Sequence, residues 1–485
     1  MKQITLLIAL MLLVSFSFAQ NTAQVNQTGN SNDADVEQIG SNIATIDQIN
    51  GSHDASVYQN GTGNNTDINQ DGAVQKAIVN QQGNSNTITS DQNSAGIKNT
   101  EVKGIQQGDN NSIDFDVDMY SSYSGKSTAT IKQIGDANIS NVFIEANGTS
   151  IGQTIIGEIT GDENKTDQSI YSGYTNYAET YITGNKNDVD QSVGGGHSKG
   201  KINILGNENI ADQYIRGAVN GGYSANYVLI DQIGDYNEAH QTITGTNSGN
   251  SISDADIYQN GFSNYASQSK DGSDTKMRTW QTGNDNSAKA NIYGNGKYRW
   301  SPGDEANYPA ENYVLIDQDG NDNSADVNIL GDDSQITAGP RYHSSNKVNL
   351  KQNGTENDAD INVSGALNYA DVDQLGNENT VGLSQSGLSN SVKILQQNGD
   401  YNTVNLAQSG GGVADITQDG NTNKVKGLDT DTDPEIASFS GAGAIDGLDL
   451  SVLQQGDANT LKLNANGEVT VSQIGNNNNA IVSQQ

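Results

Sequence analysis

The sequence contains one pattern that could place a serine nucleophile, the G-x-S-x-G of residues Gly148–Gly152. In serine hydrolases this motif joins a strand to a helix, so that the serine hydroxyl faces a histidine and an acid. No helical pattern follows Gly152, and a chain with 55 glycines produces such matches by chance. We therefore interpret the motif as incidental and predict a protein that is not an enzyme.

Two groups of side chains have the chemistry of metal ligands. They are the histidines His53, His197, His240 and His343, and the acidic run Asp429, Asp431, Asp433 and Glu435. The histidines lack the spacing of a metal site, which favours incidental or solvent-exposed positions. The acidic run has several oxygen ligands for calcium, but it contains Pro434 and lacks the glycine of an EF-hand loop. We expect a solvated loop, no metal site and no cofactor; calcium binding at the three aspartates stays open.

The composition limits the classes of protein that remain. The chain has 485 residues, 33% of them hydrophobic, with 55 glycines, four prolines and a formal net charge of −34. So few apolar residues cannot fill one conventional core in a chain of this length. The acidic balance disfavours a nucleic-acid partner, because the phosphates carry the same charge. Without cysteine the chain has no disulfide framework and no thiolate metal site.

The first residues predict export from the cytoplasm. Lys2 precedes an apolar run of residues 4–18, and the small residue Ala19 follows it. This is the arrangement of a secretory signal peptide that is cleaved after a small residue. We therefore assign residues 1–19 to a signal peptide and residues 20–485 to a secreted mature protein.

Most of the remaining chain repeats a unit of about eleven residues. Gly354, Gly365 and Gly376 are evenly spaced, and an asparagine follows each of them three residues later. After Gly354, the apolar residues Ala359 and Ile361 alternate with polar ones, which is the pattern of a strand with one buried face. Self-similarity at a fixed period indicates a repeat architecture.

Two such units are needed to form a stable coil of about 22 residues, since one strand cannot bury its inner face alone. Stacked coils would place parallel strands about 4.8 Å apart, with like residues above like residues. Inner Asn and Gln side chains would form amide ladders, while Ala, Val and Ile fill the gap between the two sheets. The sequence therefore predicts an all-β fold, a two-sheet parallel β-solenoid with irregular loop insertions.

The residues predicted to form the ladders and turns come from N-terminal, central and C-terminal repeats. They are Gln27, Gly29, Asn32, Ala34, Gln38, Gln352, Gly354, Asn357, Ala359, Ile361, Gly365, Asn368, Ala370, Val372, Gln374, Gly376, Gln473, Gly475, Asn478, Ala480 and Val482. A single residue follows the last repeat, Gln473–Gln484, and no cap is present. We expect the edge of this repeat to act as a template for another chain.

The segment Gln27–Gln38 has the sequence QTGNSNDADVEQ, which is similar to the curlin repeat Q-x-G-x-G-N-x-A-x-x-x-Q at all but one position. The second glycine is missing, and the residues in its place in four repeats are Ser31, Tyr236, Asp322 and Glu356. On these motifs the chain resembles the curlins. The resemblance implies a subunit that leaves a Gram-negative-type bacterium through an outer-membrane secretion pore. It also implies a nucleator, and assembly with itself or other curlin-like subunits into amyloid fibres of the cell surface and biofilm matrix.

Several stretches interrupt the period. They lie near residues 112–130, 142–160, 192–202, 214–229, 269–280, 294–314, 332–348 and 427–450. Loops that leave a rigid scaffold often carry binding function. Long surface insertions are also tolerated at little thermodynamic cost, and we favour this second interpretation.

Three classes of function are compatible with a repeat architecture. The first is a curli-like fibre subunit that supports adhesion and aggregation, and the second is a monomeric solenoid adhesin or ligand-binding surface protein. The third is a polysaccharide-processing enzyme on a β-helix, which would need a cleft with clustered acids and bases. The sequence shows no such cluster, so we favour the first class and keep the second as the alternative. End-capping repeats would distinguish these two, because monomeric solenoids close their ends.

Overall fold

The computed structural model shows a chain of strands and turns. It describes residues 20–72, 74–94, 100–117, 127–145, 152–170, 176–195, 198–216, 225–244, 252–271, 275–293, 312–330, 346–409, 411–427, 437–440, 448–465 and 469–483. None of these residues is helical, and the strands whose pairing register is given pair in parallel, for example β24 with β26 and β25 with β27. The chain divides into two compact units, residues 1–186 and residues 187–485.

The strands form because apolar and polar residues alternate with the period of the β-conformation. In the strand Asp358–Ser364, Ala359, Ile361 and Val363 are at most 2% exposed, while Asp358 faces solvent. The same alternation recurs in nearly every strand, since each has one face against the opposite sheet and one in water. This observation confirms the prediction of an all-β parallel solenoid of stacked coils.

Unit 1 contains two stacks of parallel strands. Its strands are β1 (Thr22–Gly29), β2 (Asp33–Asn50), β3 (Asp54–Gly72), β4 (Gln75–Gln82), β5 (Thr87–Ser94), β6 (Thr100–Gln107), β7 (Ser112–Asp116), β8 (Ser127–Ile134), β9 (Ile139–Ile144), β10 (Thr154–Thr160), β11 (Lys165–Ile170) and β12 (Tyr177–Thr183). Stack A consists of the first halves of β2 and β3 and then β4, β6, β8, β10 and β12. Stack B consists of β1, the second halves of β2 and β3, and then β5, β7, β9 and β11.

Unit 2 continues the same design with two stacks of its own. Its strands are β13 (Asp188–Gly194), β14 (Ser198–Leu205), β15 (Ile210–Arg216), β16 (Ala225–Ile233), β17 (Glu238–Thr244), β18 (Ile252–Phe262), β19 (Tyr265–Asp271), β20 (Thr275–Asn284), β21 (Ser287–Tyr293), β22 (Asn312–Asn321), β23 (Ser324–Leu330), β24 (Lys347–Thr355), β25 (Asp358–Ser364), β26 (Tyr369–Leu375), β27 (Thr380–Ser386), β28 (Asn390–Gln397), β29 (Thr403–Ser409), β30 (Gly412–Asp419), β31 (Lys424–Gly427), β32 (Ala437–Ser440), β33 (Leu448–Gln455), β34 (Thr460–Ala465), β35 (Val469–Ile474) and β36 (Asn479–Ser483). Even-numbered strands from β14 to β30, followed by β33 and β35, form stack A. Odd-numbered strands from β13 to β31, together with β32, β34 and β36, form stack B.

The pairing register places equivalent residues directly above one another. In stack A of unit 2, Val348 pairs with Ala370 and Leu350 pairs with Val372, so small apolar residues stack on small apolar residues. Each strand therefore buries its inner face against the opposite stack and against its own neighbours. Burial of these side chains contributes about 25 cal/mol per Å² of apolar surface.

The turns from stack A to stack B require glycine at their first position. Gly354 has φ +135°, and a Cβ added there would lie 1.9 Å from the carbonyl oxygen of Gly376 in the next coil. A side chain at this position would therefore collide with the backbone of the coil above. The third turn residue, where the curlin motif has its second glycine, also has positive φ, for example 56° at Glu356 and 59° at Tyr236.

Most of the variation in length lies at one edge of each unit. From Gly61 onward, the A-to-B turns have the form Gly-x-x-Asn, as in Gly354–Asn357. The B-to-A connections differ in length, and the internal segments outside the described residues fall within them, except residues 428–436, which separate β31 from β32 within stack B. These segments are 73, 95–99, 118–126, 146–151, 171–175, 196–197, 217–224, 245–251, 272–274, 294–311, 331–345, 410, 428–436, 441–447 and 466–468. The two edges are therefore different, one constant and one variable.

Several strands extend into ranges predicted as insertions. Strand β10 lies within the predicted insertion 142–160, and β16 begins within the predicted insertion 214–229. The sequence pattern missed β10 because Ile159 stands where most stack A strands have glutamine. A strand that lacks this glutamine looks like an interruption of the repeat, although its buried and exposed residues still alternate.

Candidate functional site

A ladder of glutamine amides runs through stack A of unit 2. Each Nε2 donates to the Oε1 of the next glutamine at 2.8–3.1 Å. The members are Gln232, Gln259, Gln281, Gln318, Gln352, Gln374, Gln396, Gln418, Gln454 and Gln473. Because each amide is buried, its hydrogen bonds are needed to offset the loss of water. Chains of such bonds polarise one another, so the ladder favours continuous stacking.

The same glutamines also connect the two stacks. Gln352 Nε2 donates to the carbonyl oxygen of Ser324 at 2.8 Å and to that of Asn357 at 3.1 Å. Gln374 Nε2 donates in the same way to the carbonyl oxygens of Asp358 and Asn379. Each glutamine therefore fixes the spacing along its own stack and the distance to the opposite one.

Unit 1 has a shorter glutamine ladder in stack A. Gln38, Gln59, Gln81, Gln106 and Gln133 are joined at 2.6–3.0 Å. The next two strands of stack A carry isoleucine at this position, and Gln133 Nε2 instead donates to Ser140 Oγ at 3.0 Å. The glutamine pattern is therefore interrupted within the chain, although the strands continue.

Unit 2 has a second glutamine ladder in stack B, two positions earlier in the strand. Gln191, Gln213, Gln241 and Gln268 are joined at 2.9–3.2 Å. Gly200 in stack A accommodates these larger side chains, because a Cβ there would lie 2.4 Å from Gln213 Oε1. Residue volumes are thus matched across the gap between the sheets, as close packing requires.

Each ladder has a direction, so the glutamine that begins it can have an acceptor without a donor. Gln232 Oε1 is buried without a hydrogen-bond partner, since the residue that pairs with it in the preceding strand is Ile204. Gln385 Oε1 is unpartnered for the same reason, with Val363 before it. A buried orphan acceptor costs about 1–3 kcal/mol. Interruptions of the ladder are therefore destabilising positions.

Asparagines form a second type of ladder along the constant edge. In unit 2, Asn379 Nδ2 donates to Asn357 Oδ1 at 3.1 Å, and Asn357 Nδ2 donates to the carbonyl oxygen of Gly376 at 2.8 Å. Asn357 Oδ1 also accepts the backbone N–H of Asn379 at 3.1 Å. The amide-to-amide bonds run toward the preceding coil, opposite to those of the glutamines, whereas the bond to Gly376 reaches the following coil. Together they satisfy backbone groups of the tight turn.

The sequence interpretation missed an outer ladder on the same edge. The residue after the first glycine is often Asn or Asp, and its Oδ1 accepts the backbone N–H of the equivalent residue one coil earlier. Thus Asp400 Oδ1 accepts from Asn377 N at 2.8 Å, and Asn421 Oδ1 accepts from Asp400 N at 2.9 Å. The frequent Gly-Asx pair is the signal in the sequence that indicates this ladder.

The structure places the predicted ladder and turn residues at these positions. Gln27 belongs to a stack B ladder with Gln48 at 2.7 Å, Gln38, Gln352, Gln374 and Gln473 belong to stack A ladders, and Gly29, Gly354, Gly365, Gly376 and Gly475 have positive φ. Asn357 and Asn478 lie on the constant edge, whereas Asn32 and Asn368 lie in B-to-A connections. Ala359, Ile361, Ala370 and Val372 are buried, Ala34 and Ala480 are half-buried, and the side chain of Val482 lies outside the described residues.

The histidines occupy two different environments. His53 is 2% exposed and replaces asparagine in a turn, with its backbone N–H donating to Asn32 Oδ1 at 3.2 Å. Of the two expected environments, incidental or solvent-exposed, the solvent-exposed one does not apply to His53. His240 lies on the outer face of β17, 2.8 Å from Asp212 Oδ2 and 2.6 Å from Glu238 Oε1. The hydrogen bond to Asp212, followed by that to Glu238, raises the pKa of His240 to about 9.

The structure does not describe the other residues that were considered for catalysis or metal binding. His197, His343, Ser150 and the acidic run Asp429, Asp431, Asp433 and Glu435 lie outside the described residues. Within the described part of the chain, no group of three or more His, Asp or Glu side chains is arranged to hold a metal ion. Lys270 is 1% exposed on the inner face of β19, a position that the sequence pattern did not indicate.

Comparisons with known proteins point to the repeat itself. Among the described residues, no helix has the length and apolarity that crossing a membrane requires. The chain matches no curated protein. Residues 344–376 match the family model of the curlin associated repeat. This segment contains β24, β25 and β26, and its Gln352 and Gln374 are consecutive members of the stack A ladder. The chain therefore carries a curlin repeat, built into a parallel β-solenoid.

Proposed function

We propose that this protein is a secreted structural protein, a curli-like amyloid fibre subunit of the cell surface and biofilm matrix of a Gram-negative-type bacterium. In this role it supports adhesion and aggregation and has no catalytic activity. The observation that carries the proposal is the stack A ladder from Gln232 to Gln473, in which every coil offers its neighbours the same amides at 2.8–3.1 Å.

The ladder supports assembly because it does not depend on chain continuity. Gln352 accepts from Gln318 across 34 residues and donates to Gln374 across 22, with bond lengths of 2.8 and 2.9 Å. A coil of another molecule presents the same amides, the same backbone groups and the same small apolar residues. Strand addition of this kind satisfies every backbone group of the growing stack.

The proposed assembly is a head-to-tail contact between identical chains. Such a contact uses two different surfaces of each molecule and does not close on itself, so it produces a filament. The resemblance to curlins adds the proposed partners, an outer-membrane secretion pore and a nucleator of related sequence. The proposed signal peptide, residues 1–19, would direct the chain toward that pore.

The test is seeded assembly of the purified chain that lacks residues 1–19. We expect fibres whose growth has a lag that is removed by adding preformed fibres of the same chain. Oriented fibres should diffract at about 4.8 Å along the fibre axis and about 10 Å across it.

A matched pair of variants separates the ladder from other causes of assembly. Replacing Gln352 with Leu removes one buried amide from the middle of the ladder and leaves its partners unsatisfied. Replacing Gln397, which is outside the ladder and half-buried in the same stack, with Leu leaves the amides intact. We expect slower growth for Gln352→Leu only. Chains that stay monomeric at high concentration and bind surfaces would instead support the alternative, a monomeric solenoid adhesin.

A further inference from the structure

The outward side chains of stack A in unit 2, from β14 to β26, form a face that we call the aromatic face. The pairing register aligns them in three rows along the stack. Its aromatic members are Tyr227, Tyr258, Trp280, Tyr313 and Tyr369. Trp280 is 41% exposed and Tyr227 is 40% exposed, so aromatic surface remains available to a partner.

The charges on the aromatic face are balanced, which is unusual in a chain with a net charge of −34. The three rows contain six Lys or Arg and six Asp residues. The corresponding outward rows of stack B, from β13 to β25, contain seven acidic residues, one lysine and His240. The aromatic face is therefore electrically neutral, while the opposite face of the same unit is acidic.

Contacts within the aromatic face hold its charged groups in place. Lys276 Nζ lies 3.3 Å from Asp254 Oδ2, and Arg278 Nε lies 3.5 Å from Asp256 Oδ2. Lys347 Nζ lies 5.5 Å from the ring centroids of both Tyr313 and Tyr369, on the π-faces that attract cations. Such pairs reduce the mobility of long side chains, so the face is already ordered before a ligand arrives.

The aromatic face is also partly screened from water. Burial raises the pKa of Asp231, Asp256, Asp317 and Asp373, all of which lie on this face. A carboxylate that is partly desolvated forms stronger hydrogen bonds to hydroxyl groups than one in bulk water. The face therefore combines exposed rings with fixed, partly dehydrated hydrogen-bonding groups.

We infer that the aromatic face binds an extended, uncharged polysaccharide. The electron-rich faces of Tyr and Trp attract the C–H groups on the flat side of a sugar ring, and fixed Asp, Lys and Arg groups bond its hydroxyls. A polyanion gains little from a neutral face and is repelled by the rest of the chain. The rows extend over seven strands, which suits a long polymer better than a compact ligand.

The inference goes beyond the fibre proposal, because the face belongs to a single chain whether or not it assembles. The probe is hydroxyethyl cellulose, a soluble uncharged polysaccharide, and affinity is measured by native gel electrophoresis in gels that contain it. We expect Trp280→Ala combined with Tyr227→Ala to weaken binding about tenfold, which corresponds to about 1.4 kcal/mol. Tyr214→Ala is the matched control, since Tyr214 is a 38% exposed tyrosine on the acidic face of stack B.

Three results would overturn the inference, and the first two concern binding of the polysaccharide. One is that anionic alginate retards the unmodified chain in the gel as strongly as hydroxyethyl cellulose does. The neutral charge of the face would then not select the polysaccharide. The other is an equal loss of binding in the Tyr214 variant and in the Trp280 and Tyr227 variant. Self-association through this face in the absence of polysaccharide, abolished by Trp280→Ala, would also contradict it and assign the face to a second copy of the chain. The affinity measurement does not require fibres, so a chain that fails to form fibres would still test whether this face binds the polysaccharide.

Discussion

Gln281 Nε2 donates to Gln318 Oε1 at 2.8 Å although 37 residues separate them, whereas Gln352 and Gln374 form the same bond at 2.9 Å across 22 residues. The geometry of the ladder is therefore independent of the length of chain between two coils. The contact is fixed by the parallel register of β20, β22, β24 and β26, in which the glutamines are directly stacked. Residues inserted between two coils therefore leave the stacking of the strands unchanged.

Inner and outer substitutions in β25 should differ sharply. Ile361 is 0% exposed, so Ile361→Asp buries a charge between the two stacks and should lower the free energy of unfolding by more than about 3 kcal/mol. Asp358 faces solvent, so Asp358→Asn should change it by less than about 0.5 kcal/mol. Urea unfolding measures both values, and equal effects would disprove the register.

Extending the glutamine ladder should reduce the cost of a polar residue in the core. Ile204→Gln places an amide next to the unpartnered Gln232 Oε1, which it can satisfy. Ile202→Gln, in the same strand, places an amide next to Ile230, where no ladder exists. We expect the second variant to be less stable than the first by about 1–3 kcal/mol. A smaller loss for Ile202→Gln in thermal or urea unfolding would contradict the role of the ladder.

The turns contain strain that glycine can relieve. Glu356 has φ 56°, a left-handed conformation that costs a non-glycine residue about 1–2 kcal/mol. We expect Glu356→Gly to raise the free energy of unfolding by about 1 kcal/mol after the entropy of glycine is included. The control is Asp358→Gly in the adjoining strand, which should lower it by about 0.5–1 kcal/mol. The same sign for both variants would argue against strain at Glu356.

His240 should make stability depend on alkaline pH. Its pKa is about 9 in the folded chain, above the ordinary value of 6.5, because of its hydrogen bonds to Asp212 and Glu238. The protonated ring therefore stabilises the fold fully below pH 6.5, and this contribution is lost as pH rises through about 9. Urea midpoints between pH 6.5 and 9.5 should fall for the natural chain and less for His240→Gln. Parallel pH profiles for the two chains would exclude this role.

Asp360 should also make stability fall as pH rises. Burial, and then the nearby Asp326 and Asp358, raise the pKa of Asp360 above its usual 3.8. The folded chain therefore binds a proton more readily than the unfolded chain, and stability increases as pH falls through the folded pKa. Asp360→Asn should be more stable than the natural chain at pH 7, with a smaller difference near pH 4. Denaturant unfolding at the two pH values tests this expectation.

The sequence predicted the parts of the fold that repeat. Regular strands such as β25 and β26 follow directly from the alternation around Ile361 and Val372, and the Gln352–Gln374 contact follows from equal spacing in successive coils. The structure differs where one residue leaves the pattern. Ile159 replaces a ladder glutamine, so β10 resembled an insertion although a buried isoleucine fits the same site.

Other features depend on distances between coils, which the sequence does not contain. The volume match between Gly200 and Gln213 joins residues of opposite stacks, and no local pattern relates them. The neutral charge of the aromatic face likewise appears only when strands two positions apart in the chain are paired. Trp280 and Tyr258, for example, are neighbours through the register of β18 and β20.

The constant edge and the variable edge have a consequence for engineering. Because the A-to-B turns keep the form Gly-x-x-Asn, while the B-to-A connections differ in length, foreign peptides can be grafted at one margin of the solenoid only. The short connection at residues 365–368, between β25 and β26, is a suitable position. Peptides grafted into successive connections would be displayed in a single line at intervals of one strand, about 4.8 Å. A filament of such chains would display the chosen peptides along one side, in a row with this spacing.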